Sequence, residues 1–295
     1  MWIPRFACPE CGQPLGSTHP LSCGCGQSYS QVNGTWCFLT SERRRRSATF
    51  AAQYRKVRHA DGHQAVTSAW WQSLPLVPAT HPAATEWRIR RESLQHLLGD
   101  VLGSNARRVL DLGAGSCWMS SRLAAGGHDV VAVDRFDDET DEDALRKNDG
   151  PPFVVVRADY DALPFEPDQF DLVVFNASLH YSADPDETLA GAARMLSPRG
   201  VLVVMDSPMF CSTADGEQMV SAQLSAITAT HGIVGSARPG VGYLTFERLD
   251  RVAERLALRS RFIPSRGPLG WRMRRSLAPL RLRRAPAAFG LWVAR

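Results

Sequence analysis

The chain has 295 residues, 44% hydrophobic and 22% charged, ordinary proportions for a globular protein with a sizeable core. No window holds the roughly 18 apolar residues that cross a bilayer, and the start, Met1-Trp2-Ile3-Pro4-Arg5-Phe6, lacks a basic segment leading into an apolar one. A membrane partner and a secretory leader are therefore not expected, and the expected location is the cytoplasm. The net charge of +4 is carried almost wholly by arginine, a bias that suits phosphate or carboxylate partners and equally follows from coding composition.

Residues 1–40 hold five of the seven cysteines, with short apolar runs too brief to bury a core alone. An odd cysteine total gathered at one end favours metal binding over disulfides. Arg43-Arg44-Arg45-Arg46 then reads as a solvated boundary. The segment 47–84 is ambiguous: Ala48 to Arg58 has a helical cast, and Trp70-Trp71 begins an irregular apolar stretch. Residues 85–102 show helical periodicity through Trp87, Ile89, Leu94, Leu97, Leu98 and Val101.

From residue 107 strands alternate with helices, the mark of an α/β protein with a doubly wound, mostly parallel sheet. Strands are expected at Arg108–Leu112, Asp129–Asp134, Phe153–Ala158, Phe170–Phe175 and Gly200–Asp206, with helices at Trp118–Gly126 and Asp186–Leu196. A helix over 213–231, another over Phe246–Leu256, a strand near Leu258–Ile263 and a last strand at Ala288–Ala294 follow. The arginine-rich stretch from Pro264 to Ala287 reads as a loop. Three parts result: a cysteine-rich module over 1–40, a linker and helical cap over 41–106, and the α/β domain over 107–295.

The densest chemistry lies in Val109-Leu110-Asp111-Leu112-Gly113-Ala114-Gly115-Ser116-Cys117-Trp118. An apolar strand ends in an acid and a glycine turn opens a helix, and in an open α/β sheet ligands sit beyond such strand ends. A dinucleotide site would want a glycine at 118, where Trp118 stands. Asp111 would repel a pyrophosphate yet suits the ammonium and sulfonium of S-adenosylmethionine (SAM). Gly113, Ala114 and Gly115 form the turn. Asp134, with Arg135 beside it, ends the second strand at the position that accepts hydrogen bonds from ribose hydroxyls. Asp159 and Tyr160, after the third strand, suit the adenine, with Asp161 as the alternative acceptor. Asn176 ends the fourth strand beside the expected methyl group, and His180 and Tyr181 follow. If the acceptor must lose a proton, His180 is the first candidate base, with Tyr181 and Asp206 behind it.

In order and spacing these motifs resemble the class I SAM-dependent methyltransferases, most nearly the ubiquinone/menaquinone-biosynthesis-like branch (methyltransferase type 11). The resemblance spans roughly residues 107–206. It implies a Rossmann-like seven-stranded sheet whose last strand, here Phe289-Gly290-Leu291-Trp292-Val293-Ala294, is antiparallel. It also exposes a departure, because the family's third glycine falls on Cys117, whose side chain either crowds the cofactor or packs against the helix. Cys8-x2-Cys11 and Cys23-x-Cys25 resemble the zinc ribbons found in front of some methyltransferases, with the second knuckle one residue short. That leaves Cys25, Cys37 or His19 as fourth ligand of a structural zinc. The expected activity is methyl transfer to a small-molecule metabolite or secondary product. The alternatives are an rRNA guanine methyltransferase whose zinc module aids RNA binding, and a non-catalytic scaffold.

Overall fold

The computed structural model describes residues 2–16, 19–60, 68–105, 107–135, 153–233 and 238–295. Residues 61–67, within the segment read as ambiguous, lie outside that range. The architecture follows from Val/Leu-rich runs long enough for strands yet apolar on both faces, which only a sheet covered on both sides can bury. Five of these runs form β4 (Arg108–Leu112), β5 (Asp129–Asp134), β6 (Val154–Arg157), β7 (Phe170–Asn176) and β8 (Leu196–Met205). They pair in parallel in the order β6-β5-β4-β7-β8. The sheet closes with β12 (Gly290–Ala294), antiparallel to β8, and β11 (Ser260–Pro264), antiparallel to β12. These are the seven strands that the resemblance implies, with the antiparallel strand where it was expected.

Successive residues of each central strand serve opposite layers. Val109, Val130, Leu172, Val174, Leu291 and Val293 pack with Leu94, Leu97, Trp118 and Leu123. Leu110, Val131, Val173, Phe175 and Trp292 pack instead with Leu189, Ala192, Leu249 and Val252. The first layer is built from α3 (Ala84–His96), its π-helical continuation Leu97–Leu102, and α4 (Trp118–Ala125). The second is built from α5 (Pro185–Ala193) and α7 (Phe246–Arg255), separated in sequence by α6 (Thr213–His231). Helix starts are chemically marked. Asp184 accepts from the Asp186 amide ahead of Pro185, and Thr245 accepts from the Arg248 amide.

The first 40 residues do not stand apart. β1 (Leu21–Ser22), β2 (Ser28–Val32) and β3 (Thr35–Cys37) form an antiparallel meander, and β3 pairs in parallel with β6, Thr35 opposite Val155. Among the described residues the main sheet thereby has ten strands, and β9 (Met209–Phe210) pairs with β10 (Leu244–Thr245) outside it. Phe6, Tyr29, Trp36 and Phe38 join Phe165 and Phe170 in one aromatic cluster. A segment too small for a core of its own shares that of its neighbour.

Two local expectations are corrected. Arg43–Arg46 is not a linker but lies in the opening turns of α1 (Ser41–Ala60). The stretch 264–287 is not wholly a loop: it contains α8 (Leu269–Ser276) and α9 (Ala278–Leu282). Its alternation of arginine with isolated apolar residues, broken by Pro268 and Pro279, hid the helical spacing.

Candidate active site and cysteine cluster

The carboxyl ends of β4, β5, β6, β7 and β8 open on one edge, and the singled-out residues of those strands gather there. The β4–α4 turn is tied to β5 by the amides of Gly113 and Ala114, both donating to the Val133 carbonyl. Gly113 has φ +75°, and a Cβ there would lie 2.3 Å from that of Ser178, whose hydroxyl donates to the Leu112 carbonyl. Gly115 differs: at φ +53° a Cβ would meet nothing within 4 Å, so the backbone faces open space a ligand can fill. Its amide donates to Asp134 Oδ2 at 2.7 Å, drawing the β5 carboxylate to the turn. Arg135 reaches from there to Asp159 Oδ2 at 2.6 Å, and the Asp161 amide donates to Asp159 Oδ1. Asp134 and Asp159 are thus linked through Arg135 beside the turn that follows Asp111. Tyr160 packs edge-on against Phe175 nearby, with its phenol pushed up by burial.

Asp111 is 1% exposed. Ser120 donates to its Oδ2 at 2.6 Å, and its Oδ1 has no partner. Burial pushes its carboxyl up to about 7 against the pull of the Ser120 hydrogen bond, and the charge of Asp134 pushes the same way. Asn176 Oδ1 is likewise buried without a partner, while its Nδ2 lies 3.5 Å from Met119 Sδ. Two orphaned acceptors and an open glycine backbone are what a site for a cationic nucleoside requires, so the residues present fit SAM.

Cys117 holds the left-handed conformation (φ 56°) that explains a glycine in the family pattern. Its side chain is fully buried against Ala132, with Ala114, Phe153 and Val155 around it. The thiol therefore adds nothing to the exposed side of the turn.

His180 and Tyr181 fall on a short 3-10 turn after β7 and have different surroundings. His180 is buried, its Nδ1 3.1 Å from Ser207 Oγ. Burial, with Arg238 adding to it, pulls its imidazole down to about 3, which holds it neutral at physiological pH. Tyr181 is half-buried between Phe50 and Tyr54 of α1. Asp206, one residue beyond β8, adopts φ +53° and accepts from Ser93 of α3 at 2.6 Å. Its Oδ2 has no partner, and burial raises its carboxyl to about 6. The segment expected as linker and helical cap reaches the glycine turn through a residue that the sequence did not single out for it. Trp71, on α2 (Ser68–Ser73), donates from Nε1 to the Ser116 carbonyl at 2.7 Å. Trp70 and Trp118 meet the Trp87 ring edge-on at 5.9 and 5.5 Å. The Trp70-Trp71 pair was the available signal.

At the other end, the sulfurs of Cys8, Cys11, Cys23 and Cys25 lie within 4.8 Å of one another. Cys8 and Cys25 are 3.7 Å apart, Cys11 and Cys23 3.4 Å. Four thiolates about 2.3 Å from a tetrahedral zinc lie roughly 3.8 Å apart, so the spacing suits that ion. Each knuckle is closed by a glycine amide, Gly12 to the Cys8 carbonyl and Gly26 to that of Cys23, which lets the shortened second pair still turn back. Burial pushes the Cys8 thiol up, but hydrogen bonds from the Tyr29 hydroxyl and the Glu10 and Cys11 amides outweigh it and bring it down to about 7. Cys37 contacts the Thr35 carbonyl instead, and His19 stacks on Trp36, so neither joins the cluster.

Residues 110–204 match the methyltransferase domain family. The chain is 38% identical over 100 residues to a demethylmenaquinone methyltransferase of Clavibacter sepedonicus, covering 34% of this chain and 40% of that protein. It is 26% identical over 170 residues to a malonyl-[acyl-carrier protein] O-methyltransferase of Erwinia pyrifoliae, covering 58% of this chain and 59% of that one. It thus spans about half the length of these relatives. A solved S-adenosylmethionine-dependent methyltransferase from Mesorhizobium loti superposes with a TM-score of 0.50 at 18% identity, covering 70% of this chain and 97% of that one, a likeness of fold.

Proposed function

Because this chain carries a methyltransferase domain of the class I Rossmann-like fold, we propose that it is a SAM-dependent methyltransferase acting on a small-molecule acceptor. The observation that carries this is the partnerless Oδ1 of buried Asp111, set beside a glycine turn whose outer side is open. In this reading Asp111 and the Gly113-Ala114-Gly115 backbone hold the methionine end, and Asp134 with Arg135 takes the ribose. Asp159 and Tyr160 flank the adenine, and Asn176 stands beside the reacting centre. When bound, SAM supplies an electrophilic methyl group that needs only an aligned nucleophile.

The protein's own contribution is placement. Trp71 and α3 cover the turn from water, and Tyr181 with Phe50 and Tyr54 offers an aromatic wall to an acceptor. Where the acceptor must lose a proton, the candidate bases differ in tuning. His180 as it stands is a weak base, whereas burial raises the Asp206 carboxyl to about 6. Cys8, Cys11, Cys23 and Cys25 would hold one zinc in a closed four-thiolate site, a structural role that leaves no position for substrate.

Calorimetry with S-adenosylhomocysteine tests the reading. Saturable binding is expected at one site per chain, and Asp134→Ala should weaken it at least about tenfold, the loss of a charge-assisted pair, without lowering the melting temperature comparably. No heat with the folded wild type would leave the scaffold alternative standing.

A further inference from the structure

Beyond Glu254 the chain contains no acidic residue, while residues 255–295 carry eleven arginines. In the middle of this stretch lie α8 and α9, where the usual burial pattern is inverted. Leu269, Met273, Leu277, Leu280 and Leu282 are 52–82% exposed. They are five of the eleven large apolar side chains exposed among the described residues, and the other six are scattered from Ile3 to Val241. Leu269 and Met273 share one side of α8 at i,i+4 spacing, Leu277 lies at the junction of the two helices, and Leu280 and Leu282 are on α9. Exposed Arg272 and Arg274 sit between them, and Arg275 lies over the Trp271 ring at 4.3 Å.

The arm is anchored rather than loose. The amides of Arg266 and Gly267 both donate to Glu92 of α3 at 2.8 Å, Trp271 contacts Phe289, and Ala278 is buried. An anchored cationic segment that keeps leucines in water has the composition of a helix lying in a lipid interface, apolar side chains among the acyl chains and arginines at the headgroups. A nucleic acid would use the arginines alone and gain nothing from the leucines. We propose that the α8–α9 arm docks this protein on an anionic lipid surface, lying on it and not crossing it; no helix among the described residues is long and apolar enough to cross.

The arm borders the site edge. It follows Pro264, the end of β11, which pairs with Gly290, and the Gly290 carbonyl accepts from the Asp206 amide at 3.1 Å. A docked chain would therefore present its catalytic edge beside the lipid. That consequence rests on the methyltransferase reading, whereas the docking surface does not.

Flotation of the full chain with phosphatidylcholine vesicles, with and without phosphatidylglycerol, decides. The chain should float with the anionic vesicles only, less so as salt is raised. Met273→Ser with Leu280→Ser should weaken this about tenfold or more, and Arg272→Gln with Arg274→Gln should weaken it too, with S-adenosylhomocysteine binding unchanged. Absence of flotation overturns the proposal, as does equal flotation of the serine variant. A wild-type dimer that the serine variant dissolves would assign the face to a second copy. RNA binding untouched by the serine changes, with no vesicle binding, would assign the arginines to nucleic acid. Flotation without S-adenosylhomocysteine binding would sink the enzymatic reading and leave the surface intact.

Discussion

Asp111 has one oxygen satisfied by Ser120 and one with no partner, in a position closed to water. Its raised carboxyl, about 7 against an ordinary 3.8, means the folded protein holds a proton there that the unfolded chain releases. Between those values the unliganded protein should lose stability as pH rises, and Asp206, raised to about 6, acts in the same direction. A cation at the free oxygen reverses the preference. Binding of S-adenosylhomocysteine, which keeps the ammonium, should therefore release a proton near pH 6 and tighten toward neutrality. Calorimetry in buffers of different ionisation enthalpy measures that release, and Asp111→Asn should abolish it. Cys117 gives a second test at this scale. Its thiol is packed under the turn, so Cys117→Gly should leave affinity unchanged. Relief of the positive φ should offset the lost burial to within about 1 kcal/mol of stability, read by denaturant titration.

Among the elements, those that the sequence made plainest are the central strands. Buried on both faces, they must be unbroken apolar runs, and β4 and β5 lie where their valines and leucines put them. The acids and glycines at their ends were legible for the same reason, since a strand that ends in Asp and turns through Gly announces a change of environment. Charged elements with few buried apolar residues were not legible. The opening of α1 looked like a charged boundary, and α8–α9 like a loop. The fourth ligand was undecided between Cys25, Cys37 and His19 because a one-residue shortening changes spacing in sequence but not the convergence of the sulfurs. Elemental analysis should find about one zinc per chain, as one closed tetrahedral site holds. Cys25→Ser should lower that content and Cys37→Ser should not; retention by the first or loss by the second would mean a different ligand set.

At the scale of the molecule, the cysteine module and the α/β domain share a sheet and an aromatic cluster, through β3 on β6 and Phe6 on Phe165. Removing the proposed zinc should therefore lower the melting temperature of the whole chain in a single transition and not melt the N-terminal segment alone. The sheet also fixes where the proposed chemistry would occur, because the parallel strands deliver their acids and Asn176 to one edge. The most direct measurement is a crystal structure with S-adenosylhomocysteine bound. The account predicts the ribose hydroxyls on Asp134, the amino group toward Asp111, the sulfur beside Asn176, and Cys117 still packed on Ala132. A nucleoside bound elsewhere, or a thiol at 117 turned into the hollow in its place, would contradict it.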